Sequence, residues 1–185
     1  MNLPNKLSML RICMIPFFVA FAMMDAFWAQ LLAVVIYIVA CITDALDGHI
    51  ARSRNLVTNF GKFMDPIADK LLVMSALIIL VSQGRMPAWV CILMLAREFL
   101  ISGFRLVAAE TGKVIAAGSL GKLKTVFQMV STIALLFFVP VGESTAILGN
   151  AGIIIANVLM YIAMVLTVIS GADYILRNRD CIGDM

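Results

Sequence analysis

The sequence predicts an all-α membrane protein with six transmembrane helices, and three observations support this class. Hydrophobic residues make up 63% of the 185 residues and charged residues only 14%, with a mean hydropathy of +1.04. A soluble domain of this size needs a larger charged surface, whereas lipid can cover an apolar exterior. The apolar residues fall into six long runs, and the basic residues lie mostly in alternate connections between them.

Each apolar run approaches the roughly 20 residues that a helix needs to cross the hydrocarbon core. The first follows a short segment at 3–5 that we expect at the membrane interface, and the second continues past Asp44 as a polar helix. The third begins at the Asp-Pro pair 65–66. Glycine and proline turn signals at 83–87 and 140–144 separate later runs. The predicted spans cover residues 10–24, 28–43, 65–82, 87–109, 124–139 and 146–176.

Lysine and arginine residues mark one face of the predicted bundle. They precede the first run and follow the second, fourth and sixth, whereas Arg85 lies in a connection on the other side. The positive-inside rule makes the basic face cytoplasmic, and an even number of spans then places both termini there. The net charge of +3 argues against a nucleic-acid partner. The length predicts a single domain over residues 1–185.

Four aspartates lie near the predicted cytoplasmic ends of the second and third spans: Asp44, Asp47, Asp65 and Asp69. Each pair is spaced by three or four residues, so each shares one helix face. Four converging carboxylates at a membrane boundary are costly unless some are protonated or a cation lies among them. Carboxylate ligands favour Mg²⁺ or Mn²⁺, and a pair of such ions can hold a diphosphate for cleavage.

Small and basic residues between the aspartates fit the same purpose. Gly48 and Ala51 would let a flat base or a ribose approach the helix, and Gly61 would allow a close contact with a second helix or a ligand. Arg52 is permanently charged, and its guanidinium can form two hydrogen bonds to a phosphate. The alternative is that these residues only pack, and that the aspartates only form salt bridges with nearby lysines and arginines.

The stretch from Asp44 to Asp69 has the pattern D-x2-D-G-x2-A-R-x8-G-x3-D-x3-D. At every fixed position it matches the signature of the CDP-alcohol phosphotransferases, so the chain resembles this family. The resemblance implies a fold of six transmembrane helices, commonly dimeric, with a polar active-site cavity that faces the cytoplasm. It also implies a bacterial cytoplasmic (inner) membrane location and a CDP-activated lipid, CDP-diacylglycerol, as the donor.

The resemblance further implies roles for individual residues. Asp44, Asp47 and Asp65 would ligate metal, and Asp69 would complete the metal site and act as general base on the acceptor hydroxyl. The expected CDP-lipid contacts are Gly48, Ala51, Arg52, Thr58 and Gly61. His49, the sole histidine, is expected to be a bystander.

Other segments resemble the bacterial members of the family whose acceptor is sn-glycerol 3-phosphate; they are 2–11, 55–58, 96–99, 103–105 and 121–125. That dianion needs cations outside the nucleotide site. Arg97 lies within an apolar helix, where an unpaired charge is costly, and Arg105, eight residues on, shares its face. Lys122 and Lys124 follow in the next cytoplasmic connection. We therefore predict these four residues as the acceptor phosphate site, although the lysines could equally anchor the helices.

Four alternatives remain open from the sequence. The same chemistry could use inositol phosphate, serine or phosphatidylglycerol as acceptor, and the aspartate signature does not separate these. A membrane prenyltransferase also pairs aspartates with Mg²⁺, although it lacks the Asp-Gly-x-x-Ala-Arg core. A transporter could use the acids as ion sites, but their clustering at one membrane face disfavours this. A purely structural membrane protein would not need these acids.

Overall fold

Six α-helices and no strand make up the part of the chain that the structure describes. The structure is a computed structural model, and it describes residues 3–53, 59–110, 118–139 and 148–178. The all-α prediction is therefore confirmed over these residues. In chain order the helices are α1 (Leu3–Ala22), α2 (Phe27–Ser53), α3 (Asn59–Ser82), α4 (Ala88–Glu110), α5 (Ser119–Phe138) and α6 (Gly149–Arg177).

Three of these helices contain segments that are long and apolar enough to cross a membrane: Phe27–Asp44, Ser119–Phe138 and Gly149–Arg177. Helix α1 contains a shorter apolar stretch, Leu7–Ala22. Large apolar side chains cover much of the exterior, as lipid contact requires. Helix α2 has 27 residues, or about 40 Å at 1.5 Å per residue, so its polar end extends beyond an apolar layer about 30 Å thick. The count of six spans stays a prediction.

Three helices begin several residues before their predicted spans. Helix α1 begins at Leu3, in the segment that we expected at the membrane interface, and not at residue 10. Helix α3 begins at Asn59 and contains Pro66 in its interior, because one proline removes a single backbone hydrogen bond and does not have to end a helix. Helix α5 begins at Ser119, after Gly118 in an extended conformation. The predicted start at Lys124 was too late because lysine is a good helix former, and the charge of Lys124 is paired within the fold.

Helix packing depends on small residues along the buried face of α6. This helix packs against α5 and α4, α1 packs against α2 and α3, and α2 also meets α5. Gly152, Ala156, Ala163, Ser170 and Gly171 are buried along α6. Small side chains let helix backbones approach closely, which is how helices associate where lipid already surrounds apolar surface.

At the end of the bundle opposite Asp44, polar side chains hold the helix ends together. The side-chain amides of Gln30 and Gln83 both donate to the carbonyl oxygen of Ala22, at 2.8 and 2.5 Å. Arg85 is only 5% exposed, and it donates to the Leu136 carbonyl at the end of α5 over 3.4 Å. Burial lowers the pKa of the Arg85 guanidinium to about 10, so it stays charged at neutral pH and complements the C-terminal end of the α5 dipole.

The α3–α4 turn is closed by backbone hydrogen bonds in the pattern of a Schellman motif. The Gly84 amide donates to Val81 and the Arg85 amide donates to Leu80, at 3.0 and 2.9 Å. Gly84 has a φ of +69°, a left-handed conformation that glycine adopts without steric cost.

Candidate active site

A pocket between α2, α3, α4 and α5 is lined by three of the predicted site residues, Asp44, Asp69 and Lys124. Its volume is about 670 Å³, including the space that is open to solvent at its mouth. Its lining includes Asp44 from α2, Asp69 and Lys70 from α3, Glu98 from α4 and Lys124 from α5. Polar side chains from four helices therefore meet at the ends of α2 and α3 that the sequence marked.

The acidic side of the pocket joins two helices. Asp44 and Asp69 are 25 positions apart in the chain and belong to different helices, yet both line the pocket. The Arg11 guanidinium, buried on α1, lies 2.5 Å from the Asp44 carboxylate. This ion pair restricts rotation of the Asp44 carboxylate. Sequence reasoning counted Arg11 only among the charges of the cytoplasmic face.

The other predicted metal ligands and CDP-lipid contacts have side chains that the structure does not describe. Asp47, Gly48, Ala51 and Arg52 belong to α2, and Gly61 and Asp65 belong to α3, but their side chains fall outside the described part of the structure. Thr58 lies wholly outside the described residues. Among the described side chains, no three His, Cys, Asp or Glu residues converge to hold a metal ion. The metal and lipid roles therefore stay predictions.

The basic side of the pocket is an ion pair between α4 and α5. The Lys124 ammonium contacts the Glu98 carboxylate, and the two side chains are 1% and 27% exposed. The Arg97 guanidinium also reaches Glu98, at 3.5 Å, although neighbouring helix positions point apart at their Cβ atoms. Glu98 therefore joins two of the predicted acceptor cations, a role that its adjacency to Arg97 had hidden.

The four predicted acceptor residues divide into separate environments. Lys124 lines the pocket. Arg97 and Arg105 share a face of α4, as their spacing predicts, and this face meets α6: Arg97 donates to the Ser170 hydroxyl at 3.2 Å and Arg105 to the Tyr174 hydroxyl at 3.3 Å. Lys122 is exposed on α5. The structure thus brings Lys124 and the end of Arg97 together through Glu98, and places Arg105 against α6.

Glycines make room for Arg97 between α5 and α6. A Cβ atom at Gly171 would lie 3.1 Å from Cγ of Arg97, and one at Gly121 would lie 3.6 Å from its Nη2. The first distance is tighter than an ordinary contact and the second is not. Gly171 therefore fixes the path of the Arg97 side chain. No sequence pattern indicates this contact, because it joins α4 to α6, more than 70 positions further along the chain.

Comparison with known proteins places these residues in one family. The family model for CDP-alcohol phosphatidyltransferase matches residues 1–169. A Bacillus subtilis (strain 168) protein named CDP-diacylglycerol–glycerol-3-phosphate 3-phosphatidyltransferase is 41% identical, over 98% of this chain and 97% of the relative. A Rickettsia typhi protein with the same name is 39% identical over 94% of each chain.

A third relative has a related name. The Mycobacterium tuberculosis (strain H37Rv) protein named probable phosphatidylglycerophosphate synthase is 41% identical, over 98% of this chain and 84% of the relative. These similarities extend over nearly the whole chain, and the family match includes all four aspartates of the sequence signature. The chain belongs to the CDP-alcohol phosphatidyltransferase family.

Proposed function

We propose that this protein transfers the phosphatidyl group of CDP-diacylglycerol to sn-glycerol 3-phosphate, which yields phosphatidylglycerophosphate and CMP. The observation that carries the proposal is the meeting of Asp44 and Asp69, from two helices, in one pocket with the Glu98–Lys124 pair. The pocket combines carboxylates that suit a diphosphate-binding metal site with a cation that suits an acceptor phosphate. The names of the relatives support the same pair of substrates.

Asp44, Asp47, Asp65 and Asp69 would hold the divalent metal, Mg²⁺ or Mn²⁺, as two ions. The donor set fits, because Asp44 and Asp69 offer carboxylate oxygens to one pocket and hard cations prefer oxygen ligands. When bound, the metal would neutralise the diphosphate and stabilise the CMP leaving group. Arg11 would keep the Asp44 carboxylate oriented, as a residue behind a ligand does in many metal sites.

Asp69 would act as the general base. Its side chain is exposed to the pocket, so it can accept the proton from the C1 hydroxyl of glycerol 3-phosphate. The resulting oxygen attacks the lipid-side phosphorus, the phosphorus–oxygen bond to CMP breaks, and the new phosphodiester remains on the lipid. Gly48, Ala51, Arg52, Thr58 and Gly61 are the expected contacts of the CDP-lipid in this scheme.

Lys124 would bind the acceptor phosphate from the opposite wall. In the absence of a phosphate its ammonium contacts Glu98, and Arg97 lies on the other side of the same carboxylate. A phosphate that enters the pocket would therefore meet Lys124 and Arg97, which Glu98 already holds close together. Arg105 and Lys122 would add positive potential at a greater distance and assist capture of the dianion.

The expected setting follows the charge pattern and the family. The protein would lie in the bacterial cytoplasmic membrane, with both termini and the pocket on the cytoplasmic side and with lipid around the exposed apolar faces. We also expect a homodimer. On this basis the water-soluble acceptor would enter from the cytoplasm, while the CDP-lipid would arrive within the bilayer.

The test is CMP release by the purified protein in detergent with CDP-diacylglycerol, Mg²⁺ or Mn²⁺ and glycerol 3-phosphate. Asp69→Asn should lower kcat by at least about 100-fold, the lower range for loss of a general base, and EDTA should abolish turnover until metal is restored. Asp173→Asn is the matched control, because Asp173 pairs with Arg177 on the surface of α6. Its activity should equal that of the wild type.

Inositol phosphate, serine and phosphatidylglycerol should be assayed beside glycerol 3-phosphate. Turnover with one of these acceptors alone would keep the chemistry and replace the acceptor. Turnover by Asp69→Asn at the wild-type rate would refute the role of Asp69. Folded protein that releases no CMP with any acceptor would contradict the proposed transferase activity itself.

A further inference from the structure

Gln128 is a polar residue of the pocket that the scheme above does not use. It lies on α5, one helical turn after Lys124, so both side chains share a face. The residue is only 3% exposed, yet it lines the pocket, as does Cys41 on the facing part of α2. Gln128 is therefore a buried polar residue of the pocket wall, beside Lys124, whose side chain is 1% exposed.

The side-chain amide of Gln128 is not satisfied by the protein. Its Nε2 is buried and has no hydrogen-bond partner within the described ranges of the chain. Buried polar atoms nearly always have a partner, and an unsatisfied one inside a bundle costs free energy. A group from outside the chain is the natural partner.

The chemistry of this group follows from its surroundings. A carboxamide both donates and accepts hydrogen bonds and carries no charge. Asp69, Glu98 and Lys124 are the charged partners that the pocket wall offers to a ligand. An uncharged hydroxyl group therefore suits the uncharged Gln128 amide best. Lys124 and Gln128 have Cβ atoms about 5–6 Å apart for their spacing on a helix, which a three-carbon alcohol phosphate can bridge.

We infer that Gln128 binds the secondary hydroxyl of the acceptor and so selects a glycerol phosphate over a phosphate without that hydroxyl. The inference rests on the proposed function, since it names the acceptor group that Gln128 contacts while Lys124 holds the phosphate. The terminal amide torsion of glutamine is soft, so the amide can turn toward a bound hydroxyl. Loss of this hydrogen bond weakens the binding of glycerol phosphate. It does not weaken the binding of an analogue that lacks the secondary hydroxyl.

The experiment compares two acceptors in two proteins. The acceptors are sn-glycerol 3-phosphate and 3-hydroxypropyl phosphate, which lacks the secondary hydroxyl. The proteins are the wild type and Gln128→Met, which keeps the side-chain length and removes the amide. Gln30→Met is the matched control, because Gln30 is another buried glutamine and lies near the start of α2, outside the pocket lining. CMP release at saturating CDP-diacylglycerol gives kcat/KM for each acceptor.

We expect Gln128→Met to lower kcat/KM for glycerol 3-phosphate by about fivefold to tenfold, the value of one hydrogen bond, mainly through KM. The analogue should be used equally well by both proteins, and KM for CDP-diacylglycerol should not change. Gln30→Met should keep the wild-type preference. If Gln128→Met does not fold, Gln128→Asn, which keeps a shortened amide, replaces it with the same expected loss of preference.

An unchanged preference in the folded variant would overturn the inference, and would mean that water satisfies the Gln128 amide. An equal loss with both acceptors would also overturn it, because that pattern indicates a general disturbance of the pocket. Failure of the wild type to use glycerol 3-phosphate, with CMP released from another acceptor, would instead overturn the proposed function. The two failures are therefore distinguishable in one data set.

Discussion

Replacement of Glu98 by glutamine should destabilise the fold more than replacement of its partner Lys124 by methionine. Lys124 is 1% exposed and contacts the Glu98 carboxylate, which is 27% exposed. Glu98→Gln leaves a buried ammonium without its nearest counterion. Removal of one partner of a fully buried pair costs about 3–5 kcal/mol, and the pocket is open to solvent, so we expect about 2–3 kcal/mol here.

Lys124→Met should cost less, because Glu98 keeps Arg97 at 3.5 Å and part of its solvent contact. We expect about 1 kcal/mol, within the usual range for loss of a partly exposed pair. In the double variant the buried ammonium is removed with its counterion, and Arg97 keeps its hydrogen bond to the Ser170 hydroxyl. The stability of the double variant should therefore exceed that of Glu98→Gln alone, with a coupling free energy of about 1–2 kcal/mol between the two positions.

Thermal unfolding in detergent, followed by tryptophan fluorescence, measures these differences. At about 2–4 °C per kcal/mol for a chain of this size, Glu98→Gln should lower Tm by roughly 4–12 °C. Asp173→Asn, which removes the exposed pair with Arg177, should change Tm by no more than about 2 °C. Equal effects of Glu98→Gln and Lys124→Met that simply add in the double variant would refute the reasoning.

Two further predictions concern packing. Gly171→Ala should lower Tm and raise KM for the acceptor, because the added Cβ would lie 3.1 Å from Cγ of Arg97; Gly121→Ala, whose Cβ would be 3.6 Å from the same side chain, should change both much less, and the reverse order would contradict the contact. Gln83→Leu should cost about 1–2 kcal/mol by removing a hydrogen bond to the Ala22 carbonyl. That variant should unfold at a lower temperature with unchanged KM values, and a changed KM would show that the far end of the bundle is coupled to the pocket.

The sequence predicted the helices well where a single physical rule decides. Apolar length located every described helix, and turn residues located the α3–α4 connection, because each rule depends on neighbouring residues. The starts at Leu3, Asn59 and Ser119 lie before the apolar runs, because polar and charged residues can extend a helix beyond its apolar part. Pro66 and Lys124 are tolerated inside a helix when the missing bond or the charge is compensated.

The candidate site was predictable to the extent that it is local in sequence. The sequence pattern predicted that Asp44 and Asp69 lie near the cytoplasmic ends of the second and third spans, and the structure brings both side chains to one pocket. The spacing of Arg97 and Arg105 likewise predicted their shared face. Arg11 and Gln128 were not singled out, because one resembles an ordinary cytoplasmic arginine and the other an ordinary polar residue within an apolar helix. Their importance depends on which distant helix they face.

The charged side chains of the pocket are paired between helices, which explains the importance of Arg11 and Glu98. Two ion pairs of the pocket join different helices: Arg11 of α1 faces Asp44 of α2, and Glu98 of α4 faces Lys124 of α5. Charges brought into an apolar bundle need such partners. The same partners also fix the side chains before a substrate arrives, which lowers the cost of ordering them during binding. Variants of Glu98 should therefore alter both stability and acceptor affinity, and variants of Arg11 should alter both stability and binding of the CDP-diacylglycerol diphosphate. Gln128→Met should lower acceptor affinity without lowering stability, because it removes a buried amide that has no partner among the described residues.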